Sequence, residues 1–186
     1  MKRWLKPLGV LMTLLLLTAV LSLSAAAQIR VPDIAVEVTV CADGSGIVRQ
    51  VWNTKVDEGT EFYLPFRTNG YLEIEDFTVS DNSGTYTYID DWDIDASFEE
   101  KANHCGLHPT DEGYELCWGV SRYGENRYTL QYTVRHMFNA YTDSDGTLFR
   151  FVNSELNFTP TNVRLTLHLE DGTPITRMRR IGSHGN

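Results

Sequence analysis

The chain has 186 residues, room for one domain with a proper core and little more, and carries 25 Asp and Glu against 16 Lys and Arg. A net charge of −9 repels phosphate backbones and anionic lipid headgroups, which disfavours nucleic acid as a partner. Neutral, cationic or metal-bridged partners remain, and the simplest role of the acidity is to keep the protein soluble.

In chain order, the first predicted element is a leader. Lys2, Arg3 and Lys6 make a positive start, Leu8 to Leu23 is an uncharged apolar run, and Ala25-Ala26-Ala27 supplies a small-residue cleavage site before Gln28. This reads as a secretory signal peptide over 1–27, cut between Ala27 and Gln28, with an apolar core too short for a membrane span of about 20 residues. Removal would leave 159 residues with 13 basic and 25 acidic side chains, a net charge of −12. The remainder is expected to work outside the cytoplasm. No Cys stands directly after the cleavage site, and no second apolar run of spanning length appears.

The rest is a series of short runs broken by turn residues. Ile34, Val36, Val38 and Val40 alternate with Ala35, Glu37 and Thr39 up to Asp43-Gly44. Tyr128, Leu130, Tyr132 and Val134 alternate with polar residues, as do Val163, Leu165, Leu167 and Leu169. A period of two puts one face in a core and the other in water, the pattern of antiparallel sheets. Less regular strands are expected at 46–53, 61–66, 74–80, 85–89, 114–120 and 148–152, with turns at Asn69-Gly70, Asp81-Asn82-Ser83-Gly84, Asp145-Gly146 and Asp171-Gly172. About nine short strands so punctuated indicate an all-β fold, an antiparallel β-sandwich immunoglobulin-like in outline. The one helical piece is expected over Asp95–Ala102. No repeat, linker or low-complexity tract divides the chain after residue 27.

Three cysteines remain after processing, which in an oxidising compartment means one pair and a spare, or none paired. Cys105 and Cys117 are symmetric about Asp111 within a turn-rich stretch. If that stretch closes a hairpin about Asp111, the two thiols face each other at bridgeable distance. Cys41 would then be the spare, on the outer face of its strand.

Among candidate sites, Asp91, Asp93 and Asp95 flank Trp92 at the alternate spacing of some calcium loops, and Asp143 and Asp145 could assist. Ala96 and Ala102 stand where an EF-hand requires Gly and Glu, so that motif is excluded, and a solvated acidic loop is the simpler reading. His104, Cys105, His108 and Cys117 are zinc-type ligands at a spacing that matches no zinc template. Trp52, Trp92, Trp118 and the Tyr residues could build a sugar-stacking platform, with Trp92 in the most polar setting, although aromatics also fill sandwich cores. His136 and His168 sit singly in strands, His136 continuing the inward parity. For catalysis there is no Gly-x-Ser-x-Gly, no His-Glu-x-x-His and no phosphate-cradling Gly loop. No catalytic residue and no cofactor is therefore nominated. Asn157-Phe158-Thr159 is a formal glycosylation sequon followed at once by Pro160.

Taken in order, Val36-Glu37-Val38 leading into Asp43-Gly44-Ser45, then 127–134, then Leu148-Phe149-Arg150-Phe151-Val152-Asn153, then Pro160 with Asn162-Val163, and finally Gly182-Ser183-His184-Gly185, the chain resembles a known family. It is similar to the N-terminal extracytoplasmic domain of the YciQ-like predicted bacterial membrane proteins, a domain of unknown function. The resemblance implies a signal peptide, a β-rich outer domain, and then transmembrane helices anchoring it in the membrane of a bacterium, by family likeness Gram-positive. It also implies that strands follow the Gly-x-His-Gly turn, so that a chain ending at residue 186 is truncated there. The expectation is a non-enzymatic interaction or sensing domain whose partner is an envelope or membrane protein. A secreted carbohydrate- or calcium-binding module and an envelope-polymer hydrolase are the alternatives.

Overall fold

The computed structural model describes residues 29–152, 156 and 158–175. The leader expected over 1–27 with its Ala27–Gln28 junction, Asn157 of the sequon and the Gly182-Ser183-His184-Gly185 stretch lie outside them. Strict alternation produces the long strands. β1 (Arg30–Val40), β2 (Gly46–Val56) and β9 (Gly124–Arg135) span 11, 11 and 12 residues. With β4 (Glu73–Asp81), β5 (Gly84–Thr85) and β12 (Asn162–Leu169) they form a sheet of order β12-β1-β2-β9-β4-β5. A smaller sheet, β3-β8-β7-β6, comprises β3 (Glu61–Arg67), β6 (Thr87–Ile89), β7 (His104–Thr110) and β8 (Gly113–Gly119). β10 (Asn139–Ala140) and β11 (Asp145–Gly146) make a separate two-residue ribbon.

The two larger sheets pack face to face, which is the expected all-β sandwich. From the large sheet Ile34, Val36, Val38, Val48, Trp52, Tyr128, Leu130 and Tyr132 point inward. Phe62, Leu64, Leu116 and Trp118 meet them from the small one. Trp52 stands edge-on to Trp118 at 5.2 Å between ring centroids, and Phe62 stacks on Trp118 at 5.5 Å. Burial of side chains this size contributes roughly 1.5–3 kcal/mol each and fixes the two sheets together.

Pairing is antiparallel except at two margins, where β12 runs parallel to β1 and β6 parallel to β7. β2 was the least legible of the long strands because Gln50 occupies an inward position. It is fully buried, yet every polar atom has a partner. Its Nε2 donates to the Tyr132 hydroxyl (2.8 Å) and to the Phe151 carbonyl (3.2 Å), and its Oε1 accepts from Trp52 Nε1 (2.9 Å). A satisfied buried amide specifies which strands meet without the desolvation cost of an orphaned one.

Three expectations are corrected. Residues 148–152 are irregular rather than a strand, although Phe149 and Phe151 still pack against the core, Phe149 lying 5.9 Å from Phe66. The helical piece is a single turn, α1 (Phe98–Lys101), begun by a capping box in which Glu100 N–H donates to Ser97 Oγ and Ser97 N–H to Glu100 Oε2. His136 does not continue inward: its φ of 58° turns the chain, so that Met137 is buried and His136 exposed.

Candidate functional site

The cysteine pair fails on register. β7 and β8 are joined by a two-residue turn, Asp111-Glu112, because Thr110 pairs with Gly113. The hairpin dyad therefore falls between Asp111 and Glu112, and Cys105 lies opposite Trp118 while Gly106 lies opposite Cys117. A shift of one residue reverses the face a side chain occupies. Cys105 points into the core and Cys117 to the other side of the sheet, and both are free thiols, as is half-buried Cys41. The same inversion separates the would-be zinc ligands, since His104 and His108 share the outward parity of Cys117 and Cys105 does not. Burial pushes the Cys105 thiol up to about 11. Burial, then the carboxylates of Glu61 and Glu115, push Cys117 further above the usual thiol range. Neither sulfur is poised as a nucleophile.

Cys117 is buried, although it faces outward, because a flap covers this part of the small sheet. Residues 90–102 cross the outer face of β7 and β8. Gly106 and Gly119 permit the contact: a Cβ on Gly106 would meet the Ile89 carbonyl and, at 3.4 Å, the Trp92 ring, and one on Gly119 would collide with the Lys101 carbonyl. Trp92 is 3% exposed and donates its Nε1–H to Glu61 Oε2 (2.6 Å). The Lys101 ammonium, 2% exposed, lies 3.3 Å from the same carboxylate oxygen and donates to the Ile94 carbonyl and to Thr60 Oγ1 (3.3 Å). This constellation ties a flap down and contains no vacancy for a substrate. It also removes Trp92 from the surface, so a sugar platform built on that ring is corrected. Neither Lys101 nor Glu61 carries a sequence signal. A Gly inside each of two paired strands was the hint of close backbone approach.

Asp91, Asp93 and Asp95 are all exposed, and Asp93 Oδ1 accepts from the Asp95 N–H (2.8 Å), a local turn. Among the described residues no three His, Cys, Asp or Glu side chains converge on a point where a metal could sit. The calcium reading through these aspartates is therefore corrected as well: alternate spacing in a bent flap does not aim the carboxylates at one centre. Asp143 lies in the turn joining β10 and β11, and Asp145 opens β11 opposite Ala140.

A different carboxylate, read from the sequence only as a turn residue, is the most heavily hydrogen-bonded one among the described residues. Asp81 accepts from Ser83 N–H and Oγ, from Ser121 Oγ and from the Tyr86 hydroxyl (3.0 Å). Burial alone would raise its pKa, but the bonds from Ser121, Ser83 and Tyr86 outweigh it and hold the carboxyl below the usual range. Burial in turn drives the Tyr86 phenol far above its ordinary value. The node fastens the end of β4 to the β8–β9 connection and is structural.

The open feature of the molecule is β12. Its pairing with β1 sets Val163 beside Ile34, Leu165 beside Val36 and Leu167 beside Val38, so these side chains carry the parity of the core. The β1 residues are essentially inaccessible, whereas Val163 is 46% and Leu165 45% exposed. Beyond β12 the sheet has no further strand among the described residues. The Glu170 N–H donates to the Val40 carbonyl (3.0 Å), so even-numbered residues of β12 turn their backbone groups toward β1. Those of Val163, Leu165 and Leu167 therefore point to the open edge. An edge with unpaired backbone groups beside exposed aliphatic side chains is a template for another strand.

Among the described residues no helix is long and apolar enough to cross a membrane. Neither a scan against protein-family models nor a search of curated proteins finds a match for this chain.

Proposed function

We propose that this chain is the extracytoplasmic interaction or sensing module of a membrane-anchored bacterial envelope protein, without catalytic activity of its own. The reading joins the leader expected over 1–27, the likeness to the outer domain of the YciQ-like membrane proteins, and the β12 edge. The observation that carries it is the contrast on adjacent strands: residues of identical parity are sealed on β1 and half-exposed on β12. A sandwich that leaves one core-side strand uncovered has a surface to complete by binding, through added main-chain hydrogen bonds and apolar side-chain contact. The raised thiols, the closed flap and the dispersed aspartates support it, since among the described residues none of the three is set up as a reactive centre. The acidic surface favours a protein partner over nucleic acid or an anionic membrane.

The test is site-specific photocrosslinking in intact bacterial cells from position 165, with position 127 on the polar face of β9 as the control. The reading requires a protease-accessible, discrete protein adduct from 165 and none from 127. Protection of the whole chain from external protease in opened-envelope cells, or no adduct from 165, would sink it.

A further inference from the structure

The structure assigns the open edge of β12 to a second copy of this chain, in an antiparallel pair centred on Leu167; this rests on the interaction reading above and names the partner of that surface. The only strand that must complement β12 in a two-fold symmetric contact is β12 itself. Backbone groups that face the open edge belong to the odd-numbered residues, so a symmetric antiparallel pair sets odd against odd and even against even. With the axis at Leu167, Leu165 lies opposite the partner's Leu169 and Leu167 opposite the partner's Leu167, all with core parity. On the other face Arg164 lies opposite the partner's Glu170 and Thr166 opposite the partner's His168. The Arg164–Glu170 ion pair occurs twice by symmetry.

The sequence supports that register over its neighbour. Moving the axis to Thr166 sets Arg164 against His168 and leaves Glu170 opposite Asn162, with no attractive charge contact. Glu170 is also held at the strand end, its Oε2 accepting from the Ala42 N–H (3.2 Å) and its own N–H continuing the ladder to Val40. Arg164 is exposed and makes no ion pair among the described residues. A strand with apolar residues on one face and a charge pair that matches its own reverse on the other is self-complementary, whereas a chain of net charge −9 would otherwise repel its copy.

The experiment is sedimentation equilibrium on the protein expressed from its full coding length, over micromolar to hundred-micromolar concentration. A reversible dimer is expected, and Leu165→Lys should render it monomeric while leaving the circular dichroism of the sandwich unchanged. Arg164→Glu and Glu170→Arg should each weaken dimerisation roughly fivefold, since cross-strand ion pairs are individually modest, and the double exchange should restore it. In a Cys41→Ser background, Leu167→Cys should form an intermolecular disulfide. A monomer at every concentration overturns the inference, as does a dimer indifferent to positions 164, 165 and 170, or a bridge from Thr166→Cys in place of Leu167→Cys. A monomer whose residue 165 crosslinks to a different envelope protein in cells would overturn the second copy while leaving the interaction reading in place. No adduct at all removes both.

Discussion

The outer face of the small sheet and the outer edge of the large one are both places where a sandwich could meet a partner, and they are finished in opposite ways. Over β7 and β8 the chain has spent thirteen residues on a flap, placed two glycines to admit it, and tied it with Trp92 and Lys101 to a single carboxylate, Glu61. Along β12 it leaves Val163 and Leu165 half in water. A lid closed by a buried ion pair is a structural commitment, because either partner alone is costly to leave unpaired. An edge left bare is tolerated only if something covers it or if it is kept from aggregating. The difference fits the proposed reading, with binding at the edge and stability at the flap.

Breaking the flap should have the largest effect. Trp92→Ala removes the ring from Gly106 and should cost about 3–4 kcal/mol by urea unfolding, within the range for large buried aromatics. The same variant should make the Cys117 thiol accessible to a disulfide reagent that leaves the wild type unlabelled at that position. Lys101→Met retains the stem but strands Glu61 with only the Trp92 N–H. A loss of about 2–3 kcal/mol is expected, and adding Glu61→Gln should recover part of it; a purely additive double variant would show that the two groups do not act together.

A pH measurement sharpens the structural side. The Asp81 carboxyl is held below its ordinary value of 3.8 by hydroxyl donors from Ser121, Ser83 and Tyr86. A depressed folded-state pKa contributes stability that is present above the unfolded value and lost as pH falls through the folded one. Asp81→Asn should therefore destabilise at neutral pH, and the gap to wild type should narrow as pH drops below about 4. A gap that stays constant down to pH 2 would remove the carboxylate's role. The smallest effect is expected at the edge: Leu165→Ala, measured under conditions that keep the chain monomeric, should change stability by no more than about 0.5 kcal/mol. A loss above 2 kcal/mol would mean that Leu165 is already covered.

The sequence was legible where alternation is uninterrupted. β1, β9 and β12 follow from apolar residues at every second position, and with them the all-β sandwich. β2 was blurred by Gln50, whose partners lie on β9 and in the segment at 151 and are invisible locally. β4 was blurred by a bulge at Asp76 (φ 55°), which places one extra residue between Glu75 and Thr78 relative to β9. The cysteine pairing turned on a single residue of turn length, which symmetry about Asp111 could not decide. Trp92 looked exposed because its sequence neighbours are aspartates, while the surfaces that bury it belong to Gly106 and Glu61. Exposure of β12 was not legible at all, since its pattern is that of a buried strand and it is distinguished only by having no further strand beside it among the described residues.

The most direct test of the open edge is hydrogen exchange at individual amides of β12. At low protein concentration the Val163, Leu165 and Leu167 amides should exchange orders of magnitude faster than the alternating Arg164, Thr166 and His168 amides that face β1, and rising concentration should slow the first set toward the second. Equal, concentration-independent protection of both sets would mean that the edge is already paired, and the account of β12 as the binding surface would be wrong.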